Sequence, residues 1–165
     1  DVPFPSGIYG LTKLQGEQAI EAVWEKHFII RTSWVYSQFG SNFLKTMLRL
    51  ASERTSLSVV SDQIGTPTYA VDLAEVLLKI VTSKTKTFGI YNFSNEGQCS
   101  WYDFAHEIFL QKDITIDLQA ISTKLYPTPA KRPAYSVLDK SKIKATFGVN
   151  INDWKTSLNN CLKHY

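Results

Sequence analysis

Apolar residues recur every three or four positions in several segments, which is the spacing of one helix face. The same spacing predicts helices at 41–52, 72–81 and 100–111, and two shorter helices at 140–147 and 153–163. The first helix is predicted at 8–26, with an apolar stripe formed by Leu11, Leu14, Ala19, Ala22 and Val23.

Capping residues mark the ends of these helices. Asp72 and Asn152 are expected to cap the helices that follow them. Ser100 and Asp103 have the spacing of a capping box, and Gly148 is expected to end the helix at 140–147.

A continuous apolar run predicts one buried strand, at 27–35, where Phe28, Ile29 and Ile30 follow one another. An unbroken run is typical of a parallel strand that is covered on both faces. Shorter strands are predicted at 57–60, 68–70, 89–93 and 115–120, with loops at 62–68 and 123–135. The alternation of helices and strands predicts an α/β fold. Only 28–32 has strong parallel-core character, as in a substrate-binding lobe attached to a dinucleotide-binding sheet.

Composition narrows the class of protein. The chain has 165 residues, of which 44% are hydrophobic and 20% charged, so we expect one globular unit. The net charge of +3 is spread along the chain, and the small basic groups at 84–86 and 140–144 are interpreted as solvated turns. No apolar run is long enough to span a bilayer. We therefore predict neither a nucleic-acid nor a membrane partner. Cys99 and Cys161 lack the spacing of metal ligands and are expected to be buried or idle thiols in the cytosol.

The candidate chemistry begins with Tyr9 and Lys13, which are four residues apart and share one helix face. A free phenol exchanges protons poorly at neutral pH, but a neighbouring ammonium favours its ionised form. Such a pair suits acid–base work on a carbonyl or an alcohol. From the spacing alone, a surface tyrosine above a solvated lysine is the commoner arrangement, because most such pairs lie on exposed helix faces.

The order of the local motifs is more specific than any one of them. They are Y-G-x-T-K-x-x-G-E at 9–17, R-T-S-W-V-Y at 31–36, N-F-L-K-T-M-L at 42–48, D-Q-I-G-T-P-T at 62–68, D-L-A at 72–74, S-W-Y-D-F-A at 100–105 and Y-P-T-P-A-K-R-P at 126–133. This series resembles the dTDP-4-dehydrorhamnose reductases, members of the extended short-chain dehydrogenase/reductase family. The resemblance covers the part of that family from the Tyr-x-x-x-Lys helix to the C terminus. It therefore implies the later part of a Rossmann-type fold plus the small substrate-binding lobe. The family's Gly-rich phosphate loop and the Ser/Thr of its catalytic triad have no counterpart in this sequence.

The resemblance implies catalytic roles for two residues. Tyr9 would donate a proton to the C4 keto oxygen of the sugar, and Lys13 would assist Tyr9 and bind the nicotinamide ribose. The cofactor, NADPH or NADH, would supply the hydride. Thr32 and Ser33 are expected at the carboxyl end of a strand and would border the nicotinamide. Trp34 would contact the deoxysugar. The alternative is that Trp34 is a core tryptophan that caps the sheet.

Further residues are candidates for binding the nucleotide sugar. Asn42 begins a helix, where free N–H groups attract phosphate, although a plain N-cap is the commoner role for asparagine. Arg132 lies on a stiff loop and could bind pyrophosphate through two bonds, with Lys131 as an added charge, or be a solvated surface residue. The loop at 62–68 contributes Asp62, Gln63 and Thr68, or is simply a turn stabilised by Asp62.

Trp101 is interpreted as a packing residue outside the site. No metal ligand is identified; a magnesium ion between subunits is compatible with the family, but the sequence does not locate its ligands.

Within this family, residues 1–36 correspond to the end of the dinucleotide-binding domain. Residues 37–165 correspond mostly to the nucleotide-sugar-binding lobe, with a return to the sheet near 57–93. The implied activity is the reduction of dTDP-4-dehydro-L-rhamnose to dTDP-L-rhamnose for bacterial polysaccharide, in a cytoplasmic homodimer. Two alternatives remain: a non-catalytic regulatory relative, and another nucleotide-sugar epimerase or reductase.

Alone, the chain is expected to bind no dinucleotide and to be inactive, because it lacks the glycine fingerprint and the first strands of the sheet. It is also expected to self-associate or to form a swapped dimer, because the apolar strand at 28–32 would lack its neighbours.

Overall fold

A computed structural model describes residues 2–5, 7–130 and 132–165. Helices and strands alternate along much of the chain, as predicted. The helices are α1 (Ile8–Val23), α2 (Phe43–Glu53), α3 (Ala70–Thr82), α4 (Trp101–Gln111), α5 (Ser141–Phe147) and α6 (Trp154–Leu162), with a 3-10 turn at Thr123–Leu125. The strands are β1 (Phe28–Arg31), β2 (Val35–Tyr36), β3 (Ser56–Val60), β4 (Ile64–Gly65), β5 (Thr68–Tyr69), β6 (Gly89–Asn92), β7 (Cys99–Ser100) and β8 (Asp117–Ile121).

The strands form four pairs among the described residues. Three pairs are parallel, namely β1 with β6, β2 with β5 and β3 with β8. The short strands β4 and β7 pair antiparallel, with Gly65 opposite Cys99. Parallel pairs joined by helical connections are typical of an α/β protein, which is the predicted class.

Two apolar clusters form the core. The first contains Leu44 and Met47 of α2, Leu57 and Val59 of β3, Phe104 and Ile108 of α4, and Trp154 and Leu158 of α6. The second contains Val76 and Ile80 of α3, Tyr91 of β6, Phe93, Ile143 and Phe147 of α5, and Val149. Cys161 and Cys99 are both free and buried, as predicted, and burial raises the pKa of the Cys161 thiol to about 11.

A largely buried set of polar groups connects elements that carry the two clusters, and we call it the Asn95 network (Tyr69, Asp72, Asn95, Lys140 and Ser157). The Asn95 amide nitrogen donates to Asp72 Oδ2 at 2.5 Å and to Ser157 Oγ at 2.8 Å. The Asn95 amide oxygen accepts a bond from the Tyr69 backbone N–H at 2.8 Å, and Lys140 Nζ donates to the Asn95 carbonyl at 3.1 Å. Buried polar groups need such partners, and these bonds join α3, α6 and the segment before α5.

The helix ends follow the capping chemistry of the sequence, with two corrections. The capping box of Ser100 and Asp103 is present, and Gly148 ends α5 in the left-handed conformation at φ +57°. Asp72 does not cap α3, because the helix already begins at Ala70, and its carboxylate belongs to the Asn95 network. Asp153 rather than Asn152 caps α6, since its carboxylate accepts a bond from the Lys155 backbone N–H.

The first helix and strand are less covered than predicted. α1 ends at Val23 rather than at 26, and none of its residues is buried, so its apolar stripe is not packed within this chain. β1 is only partly buried and pairs with β6 alone among the described residues. The prediction of burial on both faces is therefore wrong for the chain as described.

Candidate active site

Tyr9 and Lys13 lie one turn apart on α1, as the spacing predicts. Lys13 Nζ is 5.6 Å from the centroid of the Tyr9 ring, and the Tyr9 residue is 77% exposed. Lys13 also borders a groove of about 230 Å³, together with Glu17 and Arg31. A cation beside an accessible phenol is an arrangement that allows proton transfer to a bound carbonyl.

A bidentate ion pair, which the sequence did not reveal, fastens α1 to the end of β1. Arg31 Nε donates to Glu17 Oε1 at 2.8 Å, and a second guanidinium nitrogen donates to Oε2 at 2.5 Å. The hydrogen bonds that Arg31 donates to the Glu17 carboxylate raise the pKa of Arg31 above its ordinary value. Glu17 is four residues after Lys13 on the same helix, so this pair connects the Tyr9–Lys13 face to the strand that precedes Thr32.

The loop that follows β1 brings several predicted residues together. The hydroxyl of Thr32 donates to the hydroxyl of Thr68 at 3.3 Å, and the Ser33 hydroxyl donates to the Thr66 carbonyl at 3.1 Å. The Thr68 backbone N–H donates to the Trp34 carbonyl at 3.1 Å. Thr32 is exposed and Thr68 is buried, so of this pair only Thr32 is accessible to a ligand.

Trp34 lies at the end of an aromatic group that continues through Trp101 to Phe43. Its ring stacks on that of Trp101, with centroids 3.6 Å apart and an angle of 11° between the planes. Both side chains are partly buried against the first apolar cluster. Trp34 is therefore attached to the core while part of its surface remains accessible. Trp101, which the sequence interpretation placed outside the site, contacts Trp34 directly.

The side chain of Asn42 is occupied by local hydrogen bonds. Its amide oxygen accepts from the Lys45 backbone N–H at 3.2 Å, which makes it the N-cap of α2. Its amide nitrogen donates to the carbonyls of Ser37 at 2.8 Å and Phe39 at 3.2 Å. The N-cap alternative is therefore observed, and phosphate binding by Asn42 stays a prediction.

Asp62 and Gln63 are both bonded to Thr123 at the start of the 3-10 turn. The Asp62 carboxylate accepts from the Thr123 backbone N–H at 2.8 Å and from its hydroxyl at 2.6 Å, and Gln63 Nε2 donates to the same hydroxyl at 3.0 Å. The hydrogen bond from the Thr123 side chain lowers the pKa of Asp62. These bonds show that the loop is tied to a distant segment, and sugar binding by either residue stays a prediction.

Arg132 is exposed on the loop that follows the 3-10 turn, and Lys131 lies outside the described residues. The next residues of this loop are fastened to β4. The Ile64 backbone N–H donates to the Ala134 carbonyl at 2.8 Å, and the Ser136 N–H donates to the Ile64 carbonyl at 2.8 Å. The loop carrying Arg132 is thus attached beside Gly65 and Trp34, and its contact with pyrophosphate stays a prediction.

Among residues 2–5, 7–130 and 132–165, no group of three or more His, Cys, Asp or Glu side chains could hold a metal ion. In the same residues, no helix is both long and apolar enough to cross a membrane.

Comparison with known proteins decides the family. The family model described as the RmlD substrate binding domain matches residues 1–165. The chain belongs to this family. It is 44% identical to the dTDP-4-dehydrorhamnose reductase of Aggregatibacter actinomycetemcomitans, over 97% of this chain and 58% of the relative.

Solved structures give the same result. The chain is similar to a dTDP-4-dehydrorhamnose reductase from Clostridium acetobutylicum, with a TM-score of 0.94, 43% identity, and coverage of 99% of this chain and 57% of that one. It is also similar to the reductase from Bacillus anthracis in complex with NADP, with a TM-score of 0.93, 38% identity, and coverage of 99% and 57%. The chain thus spans a little over half the length of the relatives it matches. The predicted fold class, the later part of a Rossmann-type reductase with its substrate lobe, is confirmed.

Proposed function

We propose that this chain is part of an NAD(P)H-dependent dTDP-4-dehydrorhamnose reductase, which reduces the C4 ketone of dTDP-4-dehydro-L-rhamnose to the alcohol of dTDP-L-rhamnose. The family and the names of the relatives support this reaction. The observation that carries it is the accessible phenol of Tyr9, with Lys13 Nζ 5.6 Å from the centre of its ring.

Reduction of a ketone needs a hydride at carbon and a proton at oxygen. When bound, the nicotinamide cofactor supplies the hydride. Tyr9 donates the proton from its hydroxyl to the developing alkoxide, and the positive charge of Lys13 stabilises the phenolate that remains. Thr32, Ser33 and Lys13 fit the nicotinamide end of such a cofactor, because they offer hydroxyl and ammonium groups near the end of β1.

The substrate contacts belong to the second part of the chain. Trp34 provides an aromatic surface for the deoxysugar, and Arg132 provides a guanidinium for the diphosphate. Asn42, Asp62 and Gln63 are the remaining proposed contacts, and Thr68, which is buried, would position Thr32 through the hydrogen bond between their hydroxyls.

Residues 1–36 are the proposed end of the cofactor domain, and residues 37–165 contain most of the sugar lobe. The pairing of β6 with β1 supports a return to the first sheet at Gly89–Asn92.

We propose a cytoplasmic homodimer, with the dTDP-sugar as its small-molecule partner. The two free, buried cysteines are typical of a reducing compartment.

The test is an assay of the full-length protein that carries this chain. NADPH or NADH oxidation is followed with dTDP-4-dehydro-L-rhamnose as substrate, and the product is identified by mass spectrometry. Tyr9→Phe removes the proton donor and should lower kcat/KM by about 100-fold or more. The matched control is Tyr165→Phe, which removes the hydroxyl of another accessible tyrosine and should leave the rate unchanged.

Two other results of this assay would each indicate a different function. An altered sugar isomer without net cofactor oxidation would identify an epimerase. No turnover, with Tyr9→Phe indistinguishable from wild type, would identify a regulatory relative. Either result overturns the reductase.

A further inference from the structure

Trp34 has an unfavourable backbone conformation that its neighbours maintain. Its φ is +48°, in the left-handed region that a bulky side chain rarely adopts. The loop is held on both sides by the segment at 66–68. Ser33 bonds to the Thr66 carbonyl, the Trp34 carbonyl accepts from Thr68 N–H, and Val35 pairs with Thr68 in the β2–β5 ladder. Such strain persists only where the surroundings fix it, and it is concentrated at functional sites.

The ring of Trp34 is also held in an uncommon arrangement. Aromatic pairs usually adopt offset or edge-on packing, with centroids about 4.5–7 Å apart. Trp34 and Trp101 instead stack nearly face to face, at 3.6 Å and 11°. Phe43 supports Trp101 from another side, with ring centroids 4.7 Å apart. Trp101 is the first residue of α4, where the capping box fixes the backbone. The stack is therefore imposed by a rigid support.

Gly65 provides the space for the Trp34 ring. A Cβ atom added at Gly65 would lie 2.6 Å from Cε2 and 2.7 Å from Cζ2 of Trp34, and 2.8 Å from Ser136 Oγ. Gly65 has no positive φ, so the requirement is for space and not for backbone freedom. Any larger residue would displace the indole or its neighbours.

One strand pair connects the two groups that contact Trp34. Gly65 of β4 is paired with Cys99 of β7, and β7 leads through Ser100 directly into Trp101. Trp101, which supports the Trp34 indole, and Gly65, which leaves space for it, therefore belong to one hydrogen-bonded unit.

We propose that Trp101 and Gly65 are positioning residues, which fix the Trp34 ring in the orientation that binds the deoxysugar. This inference rests on the proposed reductase function, because it takes the sugar as the ligand of Trp34. Neither residue needs to contact the substrate. Their loss should weaken sugar binding and leave the proton and hydride transfers of a bound substrate largely unchanged.

The first measurement tests the arrangement of the rings in the full-length protein. Two stacked indoles give a paired positive and negative band in circular dichroism. Difference spectra should show that Trp101→Leu and Trp34→Leu remove this signal. Gly65→Ala should weaken it without removing a tryptophan. The control Trp24→Leu alters an indole that is 61% exposed and should leave the signal intact.

The second measurement tests binding in the same variants. Trp101→Leu and Gly65→Ala should raise KM for the dTDP-sugar by roughly tenfold, with kcat within about twofold of wild type. Trp101→Phe retains an aromatic ring in the stack and should restore most of the affinity. Melting temperatures identify variants that fail to fold. If Trp101→Leu does not fold, the two single variants Gly65→Ala and Trp101→Phe still test the proposal.

The outcomes separate the two proposals. If wild type reduces the sugar but Trp101→Leu loses the paired band with KM unchanged, the positioning role is wrong. If kcat and the melting temperature of Trp101→Leu both fall while KM stays unaltered, the residue has only a structural role, and this result would also overturn the proposed positioning role. If wild type oxidises no cofactor with this sugar, the proposed function fails, and the assignment of Trp34 to sugar binding fails with it.

Discussion

The pair formed by Glu17 and Arg31 should control the attachment of α1 to the sheet. α1 has no buried residue, and in the described part of the chain these two side chains make the only hydrogen bonds between α1 and another element. Glu17→Gln keeps the size of the side chain and removes its charge. We expect the helix that carries Tyr9 and Lys13 to detach more often in this variant.

The size of the effect follows from exposure and geometry. The side chains of Arg31 and Glu17 are 33% and 15% exposed, so the pair lies between a surface pair and a buried one. Exposed pairs contribute about 0.2–1 kcal/mol, and hydrogen bonds to charged groups contribute about 1.5–3 kcal/mol. With two bonds in a fork geometry and partial screening by solvent, we expect a loss of about 1–2 kcal/mol. This corresponds to a roughly 5- to 30-fold larger population of the state in which α1 is open.

Amide hydrogen exchange of this chain measures that opening directly. The amides of α1 should exchange faster in Glu17→Gln, whereas those of α4 should not change, because α4 buries Phe104 and Ile108. The matched control is Arg49→Met, which breaks the Arg49–Glu53 pair of α2, whose side chains are 60% and 49% exposed. Exchange of α1 that is equal in Glu17→Gln and wild type would refute the reasoning. The reasoning would also be refuted if Arg49→Met lost as much exchange protection in α2 as Glu17→Gln loses in α1.

Three further predictions concern stability. Gly148→Ala places a Cβ at φ +57° and should cost about 1 kcal/mol, or about 2–4 °C in Tm; Gly148→Asn should lose less, and equal losses would contradict the left-handed cap. Ser100→Ala breaks the capping box and should cost about 1 kcal/mol in urea unfolding, whereas the exposed Ser52→Ala should change little. Hydrogen bonds from Thr123 lower the folded-state pKa of Asp62, so its stabilising contribution is complete above the ordinary carboxyl pKa and disappears as pH falls through the lowered value. Asp62→Asn should therefore flatten the acid limb of the stability profile, and an unchanged limb would show that this bond does not contribute.

The helices could be predicted because their signals are local. The caps at Asn42 and Ser100 and the glycine at position 148 lie within a few residues of the ends that they determine. Strand pairing could not be predicted in this way. β3 and β8 are paired although about sixty residues separate them, and the two-residue strands β4 and β7 are too short to show a periodic pattern.

The same distinction holds for the candidate site. Trp34 and the Tyr9–Lys13 pair stand out in the sequence because they lie within recognisable motifs. The bonds of Asp62 and Gln63 to Thr123 could not be predicted, because they close a loop of about sixty residues. The capping box correctly indicated a structural role for the start of α4, but the contact of Trp101 with Trp34 joins residues that are far apart in the chain and leaves no local signal.

The Asn95 network bears on how the chain unfolds. Apolar contacts tolerate sliding, whereas hydrogen bonds are directional and fail together once water enters. Two separate hydrophobic cores would ordinarily melt independently. Here the opening of either core would leave amide, carboxylate and ammonium groups of the Asn95 network without their hydrogen-bond partners, because these groups link elements of both cores. A single cooperative transition is the consequence, and a cavity cut into one core should lower the melting point of the other by the same amount.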